Sequence, residues 1–218
     1  MKLSSDLIKS LATYTANLKS DISIVLQKGS HEKREELVTF LEDVCGVSNK
    51  LIFEESDLGT SQRSPLSFTL FSNGINSGVT FSGIPGGHEF NSFVLAILQL
   101  GGADLKLDEN VQSMIGAINE KLDFEVFISL DCHICPEVVQ SLNKFAIVNE
   151  NISCEMIDGG LFPDTVNDRD IQGVPTVFLN GKFFSSGKTE ISKIISKLGD
   201  SIDTSKKPDE PEICLLYT

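Results

Sequence analysis

Residues 124–136 read Phe124-Glu125-Val126-Phe127-Ile128-Ser129-Leu130-Asp131-Cys132-His133-Ile134-Cys135-Pro136, and this stretch decides the fold. Apolar side chains alternate along 124–130, which predicts a strand. After Pro136, Val138, Val139, Leu142 and Phe145 fall at helical spacing, so a helix follows at once. Cys132 and Cys135 therefore sit where a strand ends and a helix begins. A free cysteine has a pKa of about 8.5, and only its thiolate exchanges with disulfides. The unpaired N–H groups and positive dipole end of a helix stabilise an anion there. Cys132, nearer the helix end, is expected to stay exposed and to act as the attacking nucleophile. Cys135, one turn later, is placed to resolve a mixed disulfide. Pro136, near the first helical position, removes no hydrogen bond that the helix needs.

Downstream, 152–157 predicts a further strand, and Val174-Pro175 leads into Thr176-Val177-Phe178-Leu179-Asn180. Asn180-Gly181 signals a tight turn before the short strand 182–186. A closing helix over 189–198 places Ile191, Ile194, Ile195 and Leu198 on one face. Upstream, a helix over 108–120 carries Val111, Met114, Ile115 and Ile118. Proline cannot donate to a β-ladder but is tolerated at the first position of a strand. A cis Val174–Pro175 bond would make a tight turn that exposes backbone beside the cysteines, and cis is expected.

The first half repeats this order. A helix from Leu3 to Leu18 precedes a strand at 21–26, a helix over 31–46 and a strand at 50–54. Ser64-Pro65 then leads into a strand, Asn73-Gly74 turns it, a strand around 79–82 follows, and a helix over 88–100 stops at Gly101-Gly102. A strand–helix–strand crossover implies a parallel pair, and the hairpin after each Pro-led strand an antiparallel one. The expected fold is α/β: two tandem thioredoxin-like folds, each a mixed four-stranded sheet flanked by helices. Residues 1–103 form the first and 104–199 the second; 200–218, rich in Asp, Ser, Lys and Pro, reads as a linker or the start of a further domain. Where the second half has its dithiol, the first reads Lys28-Gly29-Ser30-His31-Glu32, without cysteine.

Composition narrows the function. With 218 residues and a formal charge of −13, the chain lacks the cationic surface that nucleic-acid binding needs. No run approaches the roughly 18 apolar residues of a membrane span, and the N-terminus has no uninterrupted apolar signal core. Neither nucleic acid nor membrane is expected as a partner, and a cytoplasmic location is. Five scattered cysteines do not resemble a secreted disulfide framework. A zinc site would need four ligands, and there is no second C-x-x-C. Cys45 and Cys154 fall on apolar faces and read as small core residues. His31 reads as a helix-start surface residue. His133, between the two cysteines, either tunes their potential or is an exposed spacer.

Tandem folds of this kind, with Cys132-His133-Ile134-Cys135-Pro136 in the second only, resemble the N-terminal domain of the alkyl hydroperoxide reductase flavoprotein family, the F component of that system. Gly87-His88-Glu89-Phe90, Ile157-Asp158-Gly159-Gly160 and Gly173-Val174-Pro175 share in the resemblance. It implies a relay in which a reductase domain using FAD and NADH reduces the dithiol. The dithiol then reduces a peroxiredoxin, the C component of the same alkyl hydroperoxide reductase system. Glu89 matches the family's acidic residue supplied by the first fold near the dithiol, as proton acceptor or as a charge that raises the thiol pKa. A first-turn helix glutamate favoured by the dipole is the competing reading. No two glycines in the chain stand two apart, so the G-x-G-x-x-G cradle of a flavin or nicotinamide cofactor is missing. No cofactor is expected within these residues; FAD and NADH would belong to the reductase domain. Two alternatives stay open: a stand-alone glutaredoxin-like or disulfide-isomerase-like oxidoreductase, and a thioredoxin-fold binding module without catalysis.

Overall fold

The computed structural model describes residues 3–202 and 214–215. The first half runs α1 (Ser5–Thr15), β1 (Ile22–Gln27), α2 (Arg34–Cys45), β2 (Leu51–Ser56), β3 (Ser67–Ser72), β4 (Ile75–Ser82) and α3 (Phe90–Leu100). The second runs α4 (Glu109–Gly116), β5 (Leu122–Ile128), α5 (Cys135–Val148), β6 (Ile152–Asp158), α6 (Pro163–Asp168), β7 (Gly173–Val174), β8 (Thr176–Leu179), β9 (Lys182–Ser186) and α7 (Ile191–Ile202). A short β10 (Cys214–Leu215) pairs antiparallel with β7.

Each half has the expected mixed pairing. β1 lies parallel to β2 and antiparallel to β3, and β3 turns back into β4. In the second half β5 lies parallel to β6 and antiparallel to β8, which turns back into β9. Both hairpin turns put Asn-Gly at positive φ: Asn73 at 49° and Gly74 at 79°, Asn180 at 49° and Gly181 at 74°. That is the turn whose twist matches the flanking strands. Of the two Pro-led strands, only Val174–Pro175 is cis among the described residues, as the sequence predicts.

The two sheets do not stand apart. β4 runs parallel to β6, with Val79 opposite Cys154 and Ser82 opposite Ile157, so one eight-stranded sheet spans both halves in the order β2-β1-β3-β4-β6-β5-β8-β9. Gly78 permits this: its φ is +74°, and a Cβ there would lie 2.6 Å from the Ile152 carbonyl oxygen. An L side chain would force the strands apart.

One face of the sheet carries the main core. Phe68 and Phe81 stack at 5.4 Å, and Phe93 of α3 meets both edge-on at 5.5 and 5.4 Å. Phe124, Val126, Leu142 and Phe145 continue it beneath α5. Each such side chain contributes about 1.5–3 kcal/mol by leaving water. On the opposite face Phe127, Ile157, Ile171 and Phe178 form a smaller core under Phe162 and Val166 at α6.

Several boundaries differ from expectation. The strand predicted at 124–130 ends at Ile128, because Ser129 leaves the ladder to accept the Cys132 N–H at 3.0 Å. The helix predicted to 120 stops at Gly116. α7 continues to Ile202, so the linker expected from residue 200 begins inside a helix, and residues 203–213 lie outside the described ones. α6, six residues long, is too short to show a helical period.

Candidate active site

Cys132 and Cys135 are joined in a disulfide with Cα atoms 5.5 Å apart. Cys132 lies in the turn after β5, and Cys135 is the first residue of α5, with Pro136 second. The backbone N–H of Cys135 donates to Cys132 Sγ at 3.2 Å. An otherwise unpaired helix-end donor thus points at the more N-terminal sulfur. The Val174 carbonyl oxygen, immediately before the cis proline, lies 3.9 Å from the same sulfur. The exposure expected of Cys132 is not found: in the disulfide it is 4% exposed. The Val174 backbone and the turn from Ser129 close over it. Cys135 is fully buried. His133 is exposed, with no side-chain contact to either sulfur among those of the described residues.

Glu89 comes from the first fold. It ends a 3₁₀ turn, Gly87–Glu89, just before α3. That turn lies against the loop preceding the dithiol, with the His88 N–H donating to the Leu130 carbonyl at 3.1 Å. Gly87 allows the approach, since a Cβ there would lie 2.5 Å from the Leu130 oxygen and φ is +52°. Glu89 is wholly buried and neither carboxylate oxygen has a hydrogen-bond partner. It is therefore not a solvated first-turn glutamate. Burial pushes its pKa up to about 7, while the neighbouring Ser92 hydroxyl favours the anion without forming a well-made bond to it.

The other thiols are inert by environment. Cys154 is fully buried, and burial, with the charges of Glu155 and Glu89, pushes its pKa well above the ordinary thiol range. Cys45 is half-buried against the core rather than fully inside, and burial pushes it up to about 12. Beside the dithiol a cleft of about 320 Å³ is lined by Leu130, Asp131, Asp158, Gly159, Val166 and Val174. Burial raises the pKa of Asp158, opposed by the Gly160 N–H. Sequence alone marked the Asp158 segment only through its resemblance.

In the first fold the place of Cys135 at the helix start is taken by Arg34. Its guanidinium donates to the Gln27 and Pro65 carbonyls and pairs with Glu55 at 3.1 Å. A charged plug stands where the second fold keeps a dithiol.

The comparisons agree with this geometry. The thioredoxin-domain family model matches residues 122–199. The F subunit of alkyl hydroperoxide reductase from Staphylococcus aureus is 41% identical over 94% of this chain and 39% of its own length. A Bacillus subtilis protein named NADH dehydrogenase is 37% identical over 96% of this chain and 40% of its own. The structure of the Enterococcus faecalis alkylhydroperoxide reductase flavoprotein AhpF, a C503A mutant, superposes with a TM-score of 0.82 at 30% identity, covering 91% of this chain and all of that one. The chain belongs to the AhpF family of alkyl hydroperoxide reductase. It spans about two fifths of the length of its curated AhpF relatives. As a member of the AhpF family it is a thiol–disulfide oxidoreductase with a thioredoxin fold. No described helix is long and apolar enough to cross a membrane.

Proposed function

We propose that the Cys132/Cys135 couple carries electron pairs from a reductase domain using FAD and NADH to the disulfide of a peroxiredoxin, the C component of the alkyl hydroperoxide reductase system, in the cytoplasm. On this reading residues 1–103 are a redox-inert fold and 104–199 the carrier. The observation that carries it is the helix-end N–H of Cys135 on Cys132 Sγ. In the reduced chain that donor lowers the pKa of Cys132 and makes it the nucleophile. The Cys132 thiolate attacks one sulfur of the partner's disulfide and expels the other as a thiolate. The Cys135 thiolate then attacks Cys132 Sγ, the partner leaves reduced, and the chain returns to its disulfide, two electrons poorer. Cys135 must lose its proton for the second step. Glu89, buried and supplied by the neighbouring fold, is assigned as its acceptor. His133 lies outside this scheme as a spacer.

The residues present do not fit FAD or NADH, because the chain lacks the glycine cradle for a pyrophosphate. No step here runs through either cofactor; both stay with the electron donor. The deciding experiment compares reduction of that peroxiredoxin's disulfide with reduction of a glutathione mixed disulfide by the dithiol form. Faster reduction of the peroxiredoxin supports the relay. Equal rates favour a broad, glutaredoxin-like oxidoreductase.

A further inference from the structure

Glu89 needs something to set its charge. Its 3₁₀ turn packs against α3 and α5. No residue of α3 titrates, and β4 behind it carries no ionisable side chain. From β6 it faces the neutral thiol of Cys154, with Asp158 at that strand's end, and from the start of α5 Cys135. Asp131 and His133 in the preceding loop are exposed. Glu137, further along α5, is turned outward to Lys188 at 2.8 Å. No cation among these faces the carboxyl.

One polar connection reaches it. Gln140 of α5 donates its side-chain N–H to Ser92 Oγ of α3 at 3.3 Å. Ser92 is fully buried and stands three residues after Glu89. A serine hydroxyl has one proton to give and two lone pairs to accept with. With the Gln140 N–H on a lone pair, the Ser92 proton is left to turn toward the carboxyl. The order is then amide of the second fold, hydroxyl of the first, carboxylate of the first. Gln140 is half-buried and lines an open groove shared with Glu137, Ser141 and Lys144.

We propose that Ser92 and Gln140 are positioning residues: Gln140, from the dithiol fold, orients the Ser92 hydroxyl toward Glu89 and thereby sets when that carboxyl ionises. The consequence for catalysis rests on the reading of Glu89 as proton acceptor; the linkage itself does not. The proton affinity of the buried acid is then fixed by a hydrogen bond between the two folds. A hydrogen bond given to the charged form favours that form. Breaking the chain at either link therefore raises the pH at which Glu89 ionises.

The test uses the full chain in its disulfide form with carbon-13 in the glutamate side chains. The Glu89 carboxyl is followed against pH by NMR and assigned by its loss in Glu89→Gln. Gln140→Met keeps the side-chain volume at a half-buried site, and Ser92→Ala removes the hydroxyl. The titration midpoint should move upward by roughly one pH unit in Ser92→Ala and by a smaller amount in Gln140→Met. A folded Gln140→Met chain whose midpoint stays in place overturns the proposal, whatever Ser92→Ala does, because the serine alone would then suffice. Lowered thermal stability with an unmoved midpoint overturns it too, as that is what packing alone predicts. Separately, the rate of dithiol attack on 5,5′-dithiobis(2-nitrobenzoate) is measured against pH. If Glu89→Gln leaves that profile unchanged, the proton-acceptor reading fails while the NMR midpoints still decide the linkage.

Discussion

The backbone N–H of Cys135 lies 3.2 Å from Cys132 Sγ, so the two sulfurs of one disulfide are electrostatically unequal. Cys132 receives the helix-end donor. Cys135 is the helix residue that provides it, and its own sulfur is fully buried. Negative charge on reduction is thus favoured on the first sulfur and disfavoured on the second. This inequality orders the two half-reactions.

It leads to different outcomes for the two serine variants. Cys132→Ser removes the attacking sulfur and should lower disulfide exchange by at least about a thousandfold. Cys135→Ser keeps the attack but removes the resolving sulfur, so the chain should accumulate as a covalent adduct with its substrate. Non-reducing electrophoresis with mass spectrometry separates the cases. An adduct formed by Cys132→Ser instead would reverse the assignment.

Burial also ranks the thiols by reactivity. After reduction, iodoacetamide at pH 8 should modify Cys132 first. Cys154, fully buried with its pKa raised by burial, should stay unmodified until the chain unfolds. Peptide mapping over time reads the order directly. Early label on Cys154 in the native chain would contradict the packing of β6.

Glu89 gives a pH dependence of definite sign. Burial moves its pKa from an ordinary 4.5 up to about 7. Between those values the folded chain holds a proton that the unfolded chain releases, so the folded state is favoured below 4.5 and loses that advantage as pH rises through 7. Glu89→Gln removes the penalty of a buried charge. The variant should be more stable than the parent by about 2 kcal/mol at pH 8 and nearly equal at pH 4. Urea unfolding with the disulfide intact measures both. A variant less stable at pH 8 would show that the carboxylate has a favourable partner.

What could be foreseen from the sequence was local. The strand before Cys132, the helix after it and the two Asn-Gly hairpins are set by neighbours within a few residues. The joining of the halves was not legible, because β4 and β6 are each ordinary strands and nothing in either names the other as partner. Only Gly78, with its Cβ position 2.6 Å from the Ile152 oxygen, marks the contact afterwards. Glu89 could be singled out by resemblance, but its complete burial depends on α5 packing over it. The partial closure over Cys132 follows from the Val174 carbonyl, 42 residues away in the chain, and no pattern around the cysteines reports it.

The same junction yields a prediction at Gly78. Alanine there would meet the Ile152 carbonyl at 2.6 Å with φ at +74°, so either β4 or β6 must shift. Gly78→Ala should cost about 2–4 kcal/mol and lower the thermal midpoint of the whole chain in a single transition. Two separate transitions would mean that the halves fold without the shared sheet.

A charged clasp reinforces that junction on the face away from α5. Arg63, from the loop before β3, reaches both Glu155 Oε1 and Oε2 at 2.9 Å and also Glu125, which Arg169 holds at 2.6 and 3.0 Å. Ser82 of β4 bonds Glu155 from the first half as well. Burial opposes charge on Glu125, but Arg169 and Arg63 outweigh it and hold its pKa below the ordinary carboxylate value. A depressed carboxyl contributes stability that is present above its unfolded pKa and lost as pH falls through the folded one. Arg63→Met leaves Glu155 without its guanidinium and Glu125 with one partner instead of two. The side chains involved are 16–19% exposed, so solvent screens part of the loss, and about 2 kcal/mol is expected at pH 7. Arg63→Lys should recover little of it, since an ammonium cannot span two oxygens as the fork does. Urea unfolding at pH 7 and pH 3 decides the cause: the gap between parent and Arg63→Met should narrow at pH 3, where the carboxylates are protonated. A gap that stays constant would assign the loss to the packing of Arg63 over the Phe127 ring, 5.9 Å from its centroid, and not to charge.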